Sequence, residues 1–302
     1  MLDILIILAT LVGLVVGGHH FVLGASAIGH RFGMTPVFIG ATIVAIGTSL
    51  PEWAVSVFAA IGGSSGISIG NVVGSNICNI GIVLGLAAVV APLRTTRAIV
   101  LRDGLIMLGA TVLMLVVTAD GQISRADGVM LLMAGGVAIA VYAYTGRSDQ
   151  DVDVTFRWWE VPRTIAALAL VLVSSDYFIH SAQNVSQSFG ISPWVIGITI
   201  AAIGTSLPEL VTSLAAAAQG QSDIILGNLL GSCTMNILWV LGCAGTIQPM
   251  QSGPFSALDG ALFAGLMVVA ITFLFTQLVV TRWEGAVLLA CGLGWYAAQA
   301  WL

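Results

Sequence analysis

The chain has 302 residues, of which 58% are hydrophobic and only 8% are charged, with a mean hydropathy of +1.04 and a formal net charge of −5. A soluble domain carries about 25% charged residues, so the composition excludes a soluble globular protein, and the lack of a basic surplus excludes a nucleic-acid partner. We predict an all-α integral membrane protein in a lipid bilayer, because the apolar runs have roughly the twenty residues that a spanning helix needs and lack the alternation of a membrane β-barrel.

Turn residues and charges divide the chain into ten predicted transmembrane helices. The first apolar segment has neither a basic leader nor a small-residue cleavage site, so we expect it to be retained as a helix. The ten predicted helices occupy residues 3–28, 36–61, 67–91, 99–118, 128–145, 162–188, 193–218, 224–246, 256–276 and 284–302.

One stretch of the chain occurs twice. Residues 40–85 and 197–242 align without a gap at a constant offset of 157 residues and are identical at 26 of 46 positions. The repeat begins in the second and again in the seventh predicted helix, so each unit holds five helices, and an odd number places the units in opposite orientations across the membrane. We therefore predict two inverted five-helix repeats, residues 1–146 and 162–302, joined by a short cytoplasmic linker at 147–161.

The arginines predict the orientation of the bundle. All nine basic residues are arginine, and eight of them lie in the loops on one side, whereas only Arg125 lies on the other. Short loops rich in positive charge remain in the cytoplasm. We therefore expect both termini to lie outside.

Glu52 and Glu209 occupy equivalent positions in the two copies, inside otherwise apolar helices. An ionised carboxylate at mid-membrane costs at least about 2.5 kcal/mol, so it normally faces a cavity, a partner charge or a bound ion. Neither predicted helix carries a lysine or an arginine, so no salt bridge is available within them. A cation or a proton must therefore neutralise the pair.

Hydroxyl side chains share a helix face with each glutamate. Thr48 and Ser49 lie four and three positions before Glu52, and this spacing places their oxygens on the same side of the helix. Further hydroxyls at helical spacing are Ser56 in the first copy and Thr205, Ser206 and Ser213 in the second. Hydroxyls also join membrane helices without any ion, but their register-perfect repetition around two buried carboxylates favours an ion site.

A proline precedes each glutamate, and a polar stripe follows in the next helix. Pro51 and Pro208 remove a backbone donor and clash with the preceding turn, which predicts a kink with free carbonyl groups at Gly47 and Gly204. The stripes recur at i, i+4 and i+8 and consist of Asn71, Ser75 and Asn79 in the first copy and Asn228, Ser232 and Asn236 in the second. All these groups are oxygen ligands, which suit calcium and sodium rather than zinc or copper.

The motif GTSLPE followed by GNxxGSN, which reads GNLLGSC in the second copy, resembles the cation/calcium antiporter superfamily and, more closely, its prokaryotic sodium/calcium exchanger branch. The resemblance covers all ten predicted helices. It implies a transporter of a prokaryotic plasma (inner) membrane, not an enzyme, that exchanges calcium for sodium by alternating access at a midplane site, with both ions as cargo and no cofactor. By motif position it implies the metal ligands Ala45, Thr48, Ser49, Glu52, Ser75, Asn79, Ala202, Thr205, Ser206, Glu209, Ser232 and Asn236.

The chain departs from the family pattern at two positions. Several relatives, including potassium-dependent exchangers, carry aspartate where this chain has Asn236, so the resemblance implies one titratable group fewer and no potassium cotransport. Cys233 replaces the asparagine equivalent to Asn76. Because Asn76 lies 100° round the helix from Ser75, we interpret it as peripheral packing.

Three other functions compete with sodium-driven exchange. A calcium/proton exchanger of the same fold could load its glutamates with protons. An intramembrane enzyme would use the two carboxylates catalytically, but no HExxH or paired-aspartate motif is present. A passive cation channel would not need an inverted repeat.

His19, Asp176 and His180 suggest proton coupling, although their positions near predicted helix ends favour a polar cluster at the membrane surface.

Overall fold

The computed structural model describes residues 2–145, 157–188, 202–252, 255 and 257–301, and most of these residues are helical. The helices are α1 (Leu2–Arg31), α2 (Pro36–Thr48), α3 (Leu50–Ile61), α4 (Ser65–Val90), α5 (Arg97–Thr118), α6 (Arg125–Thr145), α7 (Glu160–Ser188), α8 (Ala202–Thr205), α9 (Leu207–Ala218), α10 (Ser222–Ile247), α11 (Ala257–Gln277) and α12 (Arg282–Trp301).

The helices have the lengths that a membrane protein requires. Within the described ranges, seven helices are long and apolar enough to cross a bilayer, and the bent pair α2 and α3 makes an eighth if it is one span. All eight coincide with predicted spans. The last predicted span is the 20-residue helix α12, and α9 is a shorter apolar helix. Residues 193–201 of the seventh predicted span and 147–156 of the predicted linker lie outside the described residues.

Helices α4 and α10 form the centre of the bundle. Their most apolar windows are 83% and 94% buried, whereas those of α1, α5, α6, α7 and α11 are only 22% to 39% buried. These outer helices present large apolar side chains to the surroundings, as a lipid-facing surface requires. The two central helices carry the polar stripes, so the asparagines of the stripes lie where lipid cannot reach them.

Two short antiparallel strand pairs join the two halves of the chain. Strand β1 (Leu93–Arg94) pairs with β4 (Val279–Val280), and β2 (Gln122–Ile123) pairs with β3 (Met250–Gln251). The offset of 157 residues that relates the two copies also carries β1 onto β3 and β2 onto β4. The two pairs are therefore equivalent contacts, each made between one half and the other.

Glycines allow the outer helices to approach the central pair. A Cβ atom added to Gly81 of α4 would lie 2.6 Å from Gly292 Cα of α12, and one added to Gly292 would lie 2.9 Å from Gly81 Cα. At the equivalent contact, a Cβ atom added to Gly135 of α6 would lie 3.3 Å from Leu238 Cβ of α10. Each half thus packs its last helix against the central helix of the other half, at close distances that small residues permit.

Replacing Gly292 with alanine is expected to destabilise the protein by about 1–3 kcal/mol, because the added methyl group has to push α12 away from the backbone of α4. The matched control is Gly294→Ala, two residues further along the same helix, where an added Cβ atom meets nothing within 4 Å among the described residues. Thermal unfolding of the purified protein in detergent checks the pair. Equal midpoints for the two variants would contradict the close approach.

Candidate functional site

Both predicted helix breaks are present, and each lies at a serine. Helices α2 and α3 meet at an angle of 48°, and the break residue Ser49 has φ −85° and ψ 8°. Ser206, between α8 and α9, has nearly the same conformation, with φ −89° and ψ 7°. Pro51 and Pro208 lie in the first turn of the new helix, where a missing backbone N–H breaks no helical hydrogen bond. Each new helix therefore begins at the leucine after the serine, with the proline as its second residue.

Glu52 and Glu209 lie in the first turn after each break, and neither carboxylate reaches the surface. Ser206 Oγ donates to Glu52 Oε1 at 3.3 Å, and Ser49 Oγ donates to Glu209 Oε1 at 3.0 Å. Each glutamate is thus bound by the break serine of the other copy. Among the described residues, the second carboxylate oxygen of each glutamate has no hydrogen-bond partner. Such buried, half-satisfied carboxylates require a counter-charge or a proton.

Two asparagines hold the breaks in register. Thr48 Oγ1 lies 3.4 Å from Asn228 Oδ1, and Thr205 Oγ1 lies 3.4 Å from Asn71 Oδ1. Asn71 Nδ2 also donates to the backbone oxygen of Glu52 at 3.1 Å. Asn71 and Asn228 therefore connect the breaks to the polar stripes, and their hydrogen bonds satisfy both ends of each amide.

The stripes supply the remaining buried oxygens. Ser49 Oγ lies 3.2 Å from Ser232 Oγ, and Asn236 Nδ2 donates to Ser75 Oγ at 3.2 Å. Asn236 Oδ1 and both amide atoms of Asn79 have no hydrogen-bond partner among the described residues. A π-helical turn includes each of these asparagines, Cys78–Leu84 in α4 and Asn236–Leu241 in α10. Such turns are common at functional sites because they redirect side chains out of the regular helical register.

The two predicted carbonyl ligands belong to the helices before the breaks. The Ala45 carbonyl accepts from the Ser49 amide at 3.0 Å and lies 3.5 Å from Thr48 Oγ1. Ala202 is the first residue of α8, and the Ser206 amide donates to Ile203 rather than to Ala202, at 3.1 Å. The two breaks therefore differ in the backbone group that the serine amide engages.

Ten of the twelve predicted ligands are polar side chains of the breaks and the stripes, and we call these ten the glutamate cluster. All of them except Asn79 make side-chain hydrogen bonds. The cluster consists of Thr48, Ser49, Glu52, Ser75, Asn79, Thr205, Ser206, Glu209, Ser232 and Asn236. Thr205 is half-buried and the other members are buried. Within the described ranges no group of three or more histidine, cysteine, aspartate or glutamate side chains could hold a metal ion. The cluster instead combines two carboxylates with neutral oxygens.

The interpretation of Asn76 as peripheral packing is wrong. Its side chain is fully buried, Asn76 Nδ2 donates to the Cys233 backbone oxygen at 3.1 Å, and Asn236 Nδ2 donates to Asn76 Oδ1 at 3.1 Å. The 100° offset from Ser75 is real, but it turns Asn76 towards α10 and not towards the outside. Cys233, at the equivalent position, faces Asn76 in return, with its sulfur 3.9 Å from the Asn76 backbone oxygen.

The histidines and Asp176 lie apart from the glutamate cluster. His180 Nε2 lies 3.6 Å from Asp176 Oδ1, and both side chains are 68% exposed. His19 and His20 are also exposed, with ring centroids 5.4 Å apart. The described structure provides no hydrogen-bonded path from these residues to the glutamates.

The fold and the cluster define a polytopic helical membrane protein built around two buried carboxylates from broken helices. A profile of the sodium/calcium exchanger protein family matches residues 2–143 and 161–297, and the chain belongs to this family. It is 34% identical to the putative antiporter CaxA of Alkalimonas amylolytica, over 96% of each chain, and 32% identical to the sodium/calcium exchanger MaX1 of Methanosarcina acetivorans, over 95% of each.

A solved structure agrees with this assignment. The sodium-calcium exchanger NCX_Mj, in a crystal soaked with sodium and calcium, superposes with a TM-score of 0.88 at 33% identity, covering 99% of this chain and 98% of that one. The resemblance to prokaryotic sodium/calcium exchangers is therefore confirmed, and so is the expectation of an integral membrane protein. The relatives are transporters, which agrees with the expectation that the chain is not an enzyme.

Proposed function

We propose that this protein is a secondary antiporter that exchanges calcium for sodium at the glutamate cluster. The observation that carries the proposal is the pair of buried carboxylates, each of which keeps one oxygen without a hydrogen-bond partner among the described residues. Two carboxylates match the charge of one calcium ion, and hard cations prefer oxygen ligands. Membership of the sodium/calcium exchanger family supports calcium and sodium as the cargo ions.

The proposed ligands are the members of the glutamate cluster and the carbonyl groups of Ala45 and Ala202. Glu52 and Glu209 supply the charge, while hydroxyl, amide and carbonyl oxygens complete the coordination. The unpaired oxygens of Asn79 and Asn236 support this assignment, because buried amide oxygens normally find a partner. Calcium and sodium would compete for the same oxygens, and this competition couples the two fluxes.

We also propose that the two halves, residues 1–146 and 162–302, are inverted repeats around this site. The strand pairs support the proposal. β1 follows the third predicted span and pairs with β4, which follows the ninth, whereas β2 and β3 follow the fourth and eighth. The loops after the third and ninth spans thus pair with each other, and so do the loops after the fourth and eighth. This pairing is required if each of the ten spans crosses the membrane once, because only such loops lie on the same side. The arginine bias then places the linker at 147–161 in the cytoplasm and both termini outside, and a terminal tag on the cytoplasmic side would contradict this topology.

Transport would proceed by alternating access, in which the cluster opens to one side of the membrane at a time. The empty cluster would hold two carboxylates without a counter-charge, which disfavours an occluded ion-free state. The loaded protein therefore returns more readily than the empty one, and exchange becomes obligatory.

Calcium flux into proteoliposomes tests the proposed cargo and coupling. Vesicles loaded with sodium and diluted into sodium-free medium with radiolabelled calcium are expected to accumulate calcium, because outward sodium movement drives its uptake. Matched vesicles with equal sodium on both sides and a pH gradient are the control and are expected to accumulate none. Uptake driven by the pH gradient alone would instead identify a calcium/proton exchanger.

A further inference from the structure

Asn76 connects the two central helices at the point where the glutamate cluster ends. It lies one residue after Ser75 in α4 and contacts α10 twice, through the Cys233 backbone and through the Asn236 side chain. All three residues are buried. Asn76 is not one of the twelve proposed ligands, so the burial of its polar side chain needs another explanation.

The Cys233 backbone oxygen fixes which way the Asn76 amide points. A carbonyl oxygen can only accept a hydrogen bond, so Asn76 must direct Nδ2 towards it, and Asn76 Oδ1 then faces Asn236. An acceptor in this position requires a donor from residue 236. The Cys233 carbonyl of α10 thus determines which group donates and which accepts in each of these hydrogen bonds.

The same chain fixes the amide of Asn236. One amide proton goes to Asn76 Oδ1 at 3.1 Å and the other to Ser75 Oγ at 3.2 Å. Both donors are then used, and Asn236 Oδ1 has no partner among the described residues. A flipped amide would place its oxygen against Asn76 Oδ1 and would present N–H groups where a cation needs an oxygen.

The two copies differ at this point. The position equivalent to Asn76 is Cys233, whose sulfur lies 3.9 Å from the Asn76 backbone oxygen. Asn79, the equivalent of Asn236, has neither amide atom hydrogen-bonded within the described structure. Only Asn236 is therefore held in one orientation by an asparagine from the opposite central helix.

We propose that Asn76 is a positioning residue that holds the Asn236 carboxamide with its oxygen available to the transported calcium ion. The proposal rests on the proposed function, because it assigns Asn236 as a ligand. Partners that orient metal ligands typically change metal affinity by roughly ten- to hundredfold when they are removed. Asn76 does not itself touch the ion, so its effect must pass through Asn236.

A double-mutant cycle tests this dependence. Asn76→Leu is expected to raise the half-saturating calcium concentration by roughly ten- to hundredfold, measured both by sodium-driven flux and by equilibrium binding of radiolabelled calcium to detergent-purified protein. In an Asn236→Ala background, Asn76→Leu is expected to cause no further change, because the side chain that it orients is gone. Asn184→Leu, at an exposed asparagine that donates to Asp3 at 3.0 Å, is the control.

Two results would overturn the positioning role. One is an equal loss of calcium affinity in both backgrounds, which would assign Asn76 to packing alone, and the other is unchanged affinity in Asn76→Leu. If Asn76→Leu does not give monodisperse protein, Asn76→Ser carries the same cycle with a smaller volume change. Wild-type protein that binds calcium but shows no sodium-driven flux would contradict the proposed function and leave the binding cycle intact as a test of Asn76.

Discussion

Replacing either buried glutamate by glutamine is expected to abolish sodium-driven calcium flux. Glu52→Gln and Glu209→Gln keep the size and the hydrogen-bond acceptor that each break serine uses, but remove one of the two negative charges that would face the ion in the proposed site. Removing one member of a buried, hydrogen-bonded charge pair costs about 2–5 kcal/mol, which corresponds to roughly thirty- to several-thousandfold weaker binding. Radiolabelled calcium uptake in proteoliposomes measures the loss.

The same substitutions should not destabilise the ion-free protein. A buried carboxylate without a counter-charge opposes folding, and an amide of the same shape removes that penalty. We therefore expect thermal unfolding midpoints in calcium-free detergent that equal or exceed that of the wild type. Loss of transport together with retained stability separates a binding defect from misfolding.

Glu284→Gln provides the matched control. Glu284 lies at the start of α12 and accepts from the Thr281 amide at 2.8 Å, so its role is to cap a helix. Glutamine can retain a capping role at this position. Calcium flux close to the wild-type rate in this variant, with Glu52→Gln and Glu209→Gln inactive, would support the site. Wild-type flux in either of the latter variants would exclude that carboxylate as an essential ligand.

The sequence predicted the parts of the site that depend on local chemistry. Proline next to a polar residue in an apolar helix predicts a break, and both breaks lie within two residues of the prolines. Duplication of Glu52 as Glu209 predicted that the two would serve one site, because a lone buried carboxylate is costly. These inferences use only spacing along one helix and the energetic penalty of charge in a membrane.

The contacts between helices were not predictable in the same way. No residue type signals a π-helical turn, so the turns at Asn79 and Asn236 could not be expected from spacing. Asn76 was misinterpreted because the helical offset states its angle from Ser75 but not which neighbour occupies that angle. The strand pairs were missed because each strand has only two residues. Crossing geometry depends on the partner helix, and one sequence window does not contain it.

Calcium release from loaded proteoliposomes is expected to require a cation on the other side of the membrane. In the proposed mechanism, return of the empty protein carries Glu52 and Glu209 through an occluded state without a counter-charge, at a cost of about 2.5 kcal/mol or more for each carboxylate. For both together this is about 5 kcal/mol, which slows ion-free return by roughly several thousandfold. Efflux of radiolabelled calcium should therefore be fast into sodium or into unlabelled calcium and nearly absent in choline at alkaline pH.

The choline condition also distinguishes the competing functions, because each of them neutralises the carboxylates differently. A channel keeps its ions in contact with both sides and would release calcium into choline at every pH, which would contradict alternating access. A calcium/proton exchanger would release calcium into choline only when protons are plentiful enough to load Glu52 and Glu209. An exchanger that accepts sodium at these oxygens does not need protons to neutralise the carboxylates. Its calcium efflux should therefore rise with external sodium at a fixed alkaline pH.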